Sequence, residues 1–235
     1  LKHNLHRLRD FRPLPFYPVR SDIDLFSESR IAPDQIYFAA LRTLSKDVYG
    51  YIAAGYLEEM YSGFGGELLY RPYGKTWAIG ADAFQVFKRQ PDGAFNLGHN
   101  GDHILTGHVN AWYEIPQSGL TLQAKAGRFL AGDAGARLAL SRGFRNGASF
   151  EGFVTVSNRS DPDLFGGETD LFNGVRLRLP IGNLKYLPDA SEIQVNIEPQ
   201  GRETAQTLNK PLDLYEITNG FSHRAIARDW EYIGE

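Results

Sequence analysis

The sequence predicts an all-β protein, an antiparallel transmembrane β-barrel or the C-terminal section of a larger barrel. Three observations predict it. Between Ile36 and Ile181 lie nine candidate strands that alternate apolar and polar residues with a period of two, less cleanly in 36–44 and 77–88. Their connections alternate between short and long, as periplasmic turns and outward-facing loops do in bacterial barrels. Aromatic residues gather where the strands meet the short turns, the depth at which interfacial girdles lie.

Residues 1–33 are basic and rich in proline. Pro13, Pro15 and Pro18 exclude a regular helix or a central strand, so this part reads as a linker or an extended segment. The region 34–235 reads as the barrel. The chain's opening residues, Leu1 to Asp10, lack the apolar core of a secretory signal, so either a signal has been removed or the chain is a piece of something longer. The pattern predicts strands over 36–44, 49–57, 64–72, 77–88, 104–115, 120–130, 135–144, 148–157 and 172–181. In the fifth of these, Leu105, Gly107, Val109, Ala111 and Tyr113 alternate with Thr106, His108, Asn110 and Glu114, and Trp112 breaks the polar series. Leu120, Leu122 and Ala124 oppose Thr121, Gln123 and Lys125, and Val175, Leu177 and Leu179 oppose Arg176 and Arg178. Several runs are about ten residues long, near the length of a membrane-spanning strand.

Short turns are expected at 45–47, 72–75, 116–119 and 145–147, on the periplasmic side, and longer loops around 58–63, 89–103, 131–134 and 158–171, facing outward. Tyr70, Tyr73, Trp77, Trp112, Tyr113, Phe144 and Phe150 would supply the girdle. Beyond Gly182 the pattern weakens. Glu192 to Ile197 and Asp213 to Thr218 are possible strands, and Ala225 to Ile233 reads as a strand or a short helix. Bacterial single-chain barrels have even strand numbers, so nine strands call for a further one from a C-terminal segment or from upstream.

Composition narrows the function classes. Cysteine is absent, which excludes a disulfide framework and thiolate metal sites. The net charge is -3 with both signs spread along the chain, an unsuitable distribution for nucleic acid. A hydrophobic fraction of 42% excludes general disorder. No stretch approaches the roughly 20 apolar residues of a membrane helix.

Several constellations carry a chemical reading beside a plainer one. Glu58, Glu59 and Asp82 suggest a glycosidase pair, but that chemistry needs a fixed carboxyl separation which sequence does not give. His99, His103 and His108 suggest a metal cluster, yet they fall in a loop and a strand, without helical spacing. Asp161, Asp163, Glu168 and Asp170 beside Gly166-Gly167 offer oxygen ligands for calcium, and equally an exposed acidic loop. Gly63, Gly65 and Gly66 enter a strand rather than a helix, so they do not form a phosphate cradle. No catalytic residue, metal or cofactor is expected.

The alternation assigns faces. Leu105, Val109, Leu122, Val154, Leu177 and Leu179 are expected toward lipid. Glu67, Asp82, His108, Asn110 and Glu114 are expected inward, with Lys125, Glu151, Arg176 and Arg178. A charge on the lipid face costs about 2–4 kcal/mol at the bilayer midplane, which favours this assignment. The inward groups either line a wet lumen for a hydrated polymer or pair with one another and plug it.

Three segments carry a resemblance: Glu58 to Asp82, Thr106 to Tyr113, and Ala126 to Phe144 with its core Gly127-Arg128-Phe129-Leu130-Ala131-Gly132-Asp133. A weaker echo lies at Leu208 to Thr218. Together they resemble the C-terminal part of the YjbH/GfcD family of outer-membrane exopolysaccharide and capsule proteins. The resemblance implies an outer-membrane location and a role as conduit or scaffold in secretion or surface assembly of an exopolysaccharide or capsule. Implied partners are outer-membrane lipid and lipopolysaccharide, the polysaccharide, and other polysaccharide-export proteins. It brings no catalytic assignment, and an enzyme is not expected. A general porin-like channel and a soluble periplasmic glycan-binding β-sandwich are the alternatives.

Overall fold

The computed structural model describes residues 2–3, 18–22, 25–26, 31–32, 35–90, 97–98, 102–144, 147–162, 167–181, 191–197 and 203–221. Two residues at each end of the N-terminal region pair as short strands, β1 (Lys2–His3) and β2 (Ile31–Ala32). The period-two runs then form β3 (Ile36–Ser45), β4 (Val48–Glu58), β5 (Tyr61–Tyr70), β6 (Trp77–Lys88) and β7 (His103–Ile115). They continue as β8 (Leu120–Arg128), β9 (Ala134–Gly143), β10 (Ser149–Pro162) and β11 (Glu168–Pro180). A tenth, β12 (Glu192–Ile197), pairs with β11 and realises one of the two possible C-terminal strands. The other is corrected: 213–218 contains the helical turn α1 (Leu214–Ile217), which Asp213 caps by accepting from the Glu216 N–H. The expectation for 225–233 lies outside the described residues.

Every neighbour in this sheet is antiparallel and adjacent in sequence, in the order β3 through β12. This is the meander expected of an all-β antiparallel chain. Among the described pairings none joins β3 to β12, so the sheet is open and each of these strands has one neighbour. The expected rhythm of turns is also corrected. β4 and β5 meet through Glu59 and Met60 alone, and β10 and β11 extend into 158–171, leaving 163–167 as the connection. Charged residues there mimic a loop, but Glu58, Glu59 and Asp161 are buried by contacts with remote segments. Only 89–102 remains long at that end, while the 181–191 connection lies at the other.

Facing follows the period. Phe38, Ile52, Leu68, Ile79, Val109, Leu122, Leu138, Val156, Leu179 and Val195, one from each strand, are exposed on a single face, with Phe38 74%, Ile52 66% and Val109 65% accessible. Leu105 is exposed with them, and Val154 and Leu177 lie half-exposed on the same face. Its charged positions, Arg42, Arg128 and Arg142, stand toward strand ends. Tyr70, Tyr73, Trp77, Tyr113, Phe144 and Phe150 are exposed around the end that bears the 71–76, 116–119 and 144–148 connections, and Tyr70 meets Trp77 edge-on at 5.7 Å. Trp112 leaves this set, because it points to the opposite face and is buried.

Close strand approach depends on Gly127 and Gly135, which are register partners on that opposite face. A Cβ at Gly127 would fall 2.1 Å from the Gly107 carbonyl oxygen, and one at Gly135 2.1 Å from that of Val156. The Phe129 ring covers the space above them, 3.0 Å from the would-be Cβ of Gly135 and 5.1 Å, centroid to centroid, from His108. Gly127→Ala is expected to destabilise by about 1–3 kcal/mol, the usual cost of overpacking. Gly152→Ala, where nothing lies within 4 Å, should fall within about 0.5 kcal/mol of the parent. Denaturant unfolding of the two variants in detergent micelles compares them, and equal midpoints would contradict the packing argument.

The sheet is curved. Tyr215 and Glu216 are consecutive in α1, yet the first bonds to Arg71 beyond β5 and the second to Arg178 of β11. Six strand spacings in a flat sheet would separate β5 from β11 by about 29 Å. Side chains of this length close such a gap only when the sheet bends into a trough around α1.

Candidate functional site

The concave face carries the inward polar residues of β5 to β11 beside an apolar cluster that includes Tyr51, Leu69, Phe84 and Val86, and the segment 203–221 crosses it lengthwise. This strap begins at the end that bears the 129–133 connection. The Asp161 carboxylate accepts from the N–H groups of Glu203 and Thr204, both at 2.8 Å, and from the Thr204 hydroxyl at 2.9 Å. Asp133, fully buried, accepts from the Ala205 N–H at 2.8 Å and from the Ser157 hydroxyl, while the Leu130 N–H donates to the Gln206 carbonyl at 2.9 Å. Phe129, Leu130 and Asp133 thus belong to one motif that fills the trough and fastens the strap. Residues 18–22 dock at the same end. The Glu203 carboxylate accepts from the N–H groups of Val19, Arg20 and Ser21, Arg20 pairs with Glu58 at 2.9 Å, and Lys88 pairs with Asp22 at 2.9 Å.

At mid-depth the strap inserts a cation between carboxylates. Lys210 Nζ donates to Glu67 at 2.7 Å and lies 3.9 Å from Asp82 and 4.0 Å from Asp213. Burial acts to lower its pKa, but Asp213, Glu67 and Asp82 outweigh it and hold the ammonium above the ordinary lysine value. Asp82 also takes the His108 ring nitrogen at 3.1 Å and the Asn110 amide at 2.9 Å. Tyr51 donates to the Leu212 carbonyl at 2.8 Å.

α1 seals the far end. Arg71 donates to Glu114 at 2.6 Å, to the Tyr215 carbonyl at 2.9 Å and to the Thr218 hydroxyl at 3.2 Å. The Tyr215 hydroxyl donates to the same Glu114 oxygen at 3.1 Å, and its ring stacks on Trp112 at 4.6 Å with 4° between planes. Burial, then the Glu114 charge, pushes the Tyr215 phenol above its ordinary pKa, so it stays a donor. A stack of this kind adds about 0.5–1.5 kcal/mol beyond area burial, and Trp112 also joins the apolar cluster of Leu69, Ala78 and Phe84, which accounts for an indole in the otherwise polar inward series of β7.

All nine residues expected inward lie on this face. Glu67, Asp82, His108, Asn110 and Glu114 are buried beneath or beside the strap. Lys125, Glu151, Arg176 and Arg178 are half-buried on the β8–β11 side. There Glu151 pairs with Arg137 at 2.7 Å and lies 3.6 Å from Arg176, and Arg178 pairs with Glu216 at 2.9 Å. Arg137 was findable, since β9 alternates Arg137 and Ala139 against Ala136 and Leu138. Lys210, Tyr215 and Asp133 were not, because no periodic pattern surrounds them.

The other constellations separate. Glu58 is engaged by Arg20 and by the Asn209 N–H at 2.9 Å, apart from the Asp82 cluster. His103 is exposed on the apolar face and His108 is buried on the polar one, while His99 lies outside the described residues. Among the described residues no group of three or more His, Asp or Glu is placed to hold a metal ion. Asp161 is an anchor for the strap; Asp163 and Gly166 lie outside the described residues, and Glu168 and Asp170 are exposed at the start of β11.

Comparison with known proteins gives a consistent picture. The sequence profile of a family described as "Exopolysaccharide biosynthesis protein YbjH" matches residues 1–220. The chain is 30% identical over 203 residues to the "Uncharacterized lipoprotein YjbH" of Escherichia coli (strain K12), covering 86% of this chain and 29% of that relative. It therefore spans less than a third of that relative's length. No solved structure matches.

Proposed function

This chain belongs to the YjbH exopolysaccharide biosynthesis family, and from that premise we propose that it is part of an outer-membrane β-barrel acting as a conduit or scaffold in exopolysaccharide or capsule secretion and surface assembly, without chemistry of its own. One observation carries the membrane half of this reading: an apolar face that runs across all ten strands of the sheet and stays exposed. Soluble proteins rarely leave patches beyond a few hundred Å² uncovered, and larger ones mark partner or membrane contact. Antiparallel curvature, charged residues near the strand ends and an aromatic border at one end suit a bilayer. The two edges, β3 and β12, which have no second neighbour among the described residues, require pairing before such a sheet sits in lipid, because unpaired backbone groups are costly there.

The polysaccharide half rests on family membership and on a concave face rich in hydrogen-bonding and charged groups. The strap across that face favours a plugged or scaffold-like barrel over a wide general pore. Deleting the gene is expected to lower surface or secreted polysaccharide while cytoplasmic synthesis continues, and exported polymer per cell is the measurement. Normal export in the deletion strain removes the polysaccharide role. Extraction that requires detergent, with heat-modifiable gel migration, is the result expected for a barrel. Release without detergent would favour the soluble glycan-binding alternative.

A further inference from the structure

We propose that the aromatic-bordered end of the apolar face is a binding surface for anionic phospholipid, held through its headgroup phosphates. This rests on the membrane half of the reading above and deepens it by naming the lipid chemistry at one end of the sheet. The carrying observation is where charge stands on the outward face. Toward the 46–47, 71–76, 116–119, 144–148 and 181–191 connections, the outward positions among the described residues hold no Asp or Glu. They hold two arginines, Arg42 of β3 and Arg142 of β9, both exposed. Each stands within the apolar face. Arg42 follows Ala40 and precedes Leu44 in the outward alternation. Arg142 follows Leu140 and precedes Phe144, and its register partners are Leu120 and Phe150.

The connections at this end repeat the sign. Lys46 and Lys75 are exposed in the turns after β3 and β5, the second of them between Tyr73 and Trp77 in sequence. Asp47 is half-buried beside Lys46. The other described carboxylates of this end lie on the concave side with partners of their own: Glu114 pairs with Arg71, Glu216 with Arg178, and Asp213 lies 4.0 Å from Lys210. By sequence the 144–148 and 181–191 connections add Arg145 and Lys185 against Asp189, and β12 opens on Glu192. The opposite end is mixed: Arg128 and Arg159 share it with the exposed Asp102, Glu168 and Asp170. The Arg142 guanidinium lies 5.5 Å from the Phe144 ring centroid, so its apolar stem runs along the exposed face while its head stands at the aromatic border. Where an apolar belt meets such a border is the depth of lipid headgroups. Guanidinium groups bind phosphate through paired hydrogen bonds, and each cation near an anionic bilayer surface adds to the attraction. An acidic protein segment shares the charge, but arginines set among exposed apolar side chains suit a ligand that carries both an acyl chain and a phosphate.

The test is native mass spectrometry of the chain folded in dodecyl maltoside micelles, titrated with dioleoyl phosphatidylglycerol or dioleoyl phosphatidylcholine. The expected result is preferential retention of phosphatidylglycerol that weakens as salt rises, without displacement by inorganic phosphate or by a poly-glutamate peptide at equal charge concentration. Combined Arg42→Gln and Arg142→Gln should lower phosphatidylglycerol retention about tenfold, the scale of losing two cations at an anionic surface, and leave phosphatidylcholine retention unchanged. Arg176→Gln, which removes the same charge from the concave face, should leave both unchanged. Equal retention of the two lipids by the parent protein, or an unchanged preference in a double variant that retains heat-modifiable migration, would overturn the inference. Displacement by phosphate would reduce the site to one for free anions, and displacement by poly-glutamate would make it a docking surface for an acidic protein segment; either result overturns it. Should the double variant not fold, the lipid preference and salt dependence of the parent protein decide. Heat-modifiable folding into vesicles without a lipid preference removes this inference alone, whereas a chain that stays in solution without detergent removes the reading beneath it.

Discussion

Lys210→Met is expected to lower stability by about 3–5 kcal/mol, the usual consequence of removing one partner from a buried ion pair. The Glu67 side chain is fully buried and that of Asp82 is 4% exposed, and Lys210 is the cation that reaches both. Methionine keeps most of the stem, so the loss reports on charge rather than volume. His108 and Asn110 continue to support Asp82, and Glu67 is the group left most exposed to the loss. Because the strap holds Lys210 in place, its detachment should be visible as protease cleavage within 203–221 at concentrations that leave the sheet intact. The near-ultraviolet dichroism of the Trp112–Tyr215 stack should fall in parallel. Lys210→Arg, which keeps the charge, should recover much of both signals. Parental stability and protease resistance in the Met variant would show that the strap does not depend on this pair.

Val109→Arg is expected to cost about 2–4 kcal/mol when the protein is folded into lipid vesicles, the penalty for a cation at the midplane of a barrel's outer face. Val109 is 65% exposed near the centre of β7, between Leu105 and Tyr113 on the same face. The sign of the effect makes the experiment informative. On a water-facing surface, arginine would be neutral or would improve solubility. Gln123→Arg, half-buried on the concave face, serves as the inward control and should stay within about 0.5 kcal/mol. A neutral Val109→Arg variant would sink the lipid-facing assignment.

The resemblance carried by Gly127 to Asp133 proved structural in its content. Gly127 permits close strand approach, Phe129 fills the trough beside His108, and Asp133 receives the strap. The motif's residues answer to packing on both sides of one connection, so they are constrained together.

What the sequence by itself determined is the sheet: its antiparallel class, the positions of nine strands, and which side chains share a face. These follow from a period of two, a local property that survives whatever packs against the strand, and Leu105, Val109 and Leu122 against Thr106, His108 and Lys125 show it. What only the tertiary structure decided is how the polar face is used. Lys210 meets Glu67 across 143 residues of chain and Tyr215 meets Glu114 across 101. No local pattern encodes such pairs. The same long-range contacts bury Glu58, Glu59 and Asp161, whose charge reads as loop, and draw Trp112 inward out of an otherwise polar series. They also set 213–218 as a capped helical turn inside the trough, where its backbone groups are satisfied locally, rather than as a further strand of the sheet.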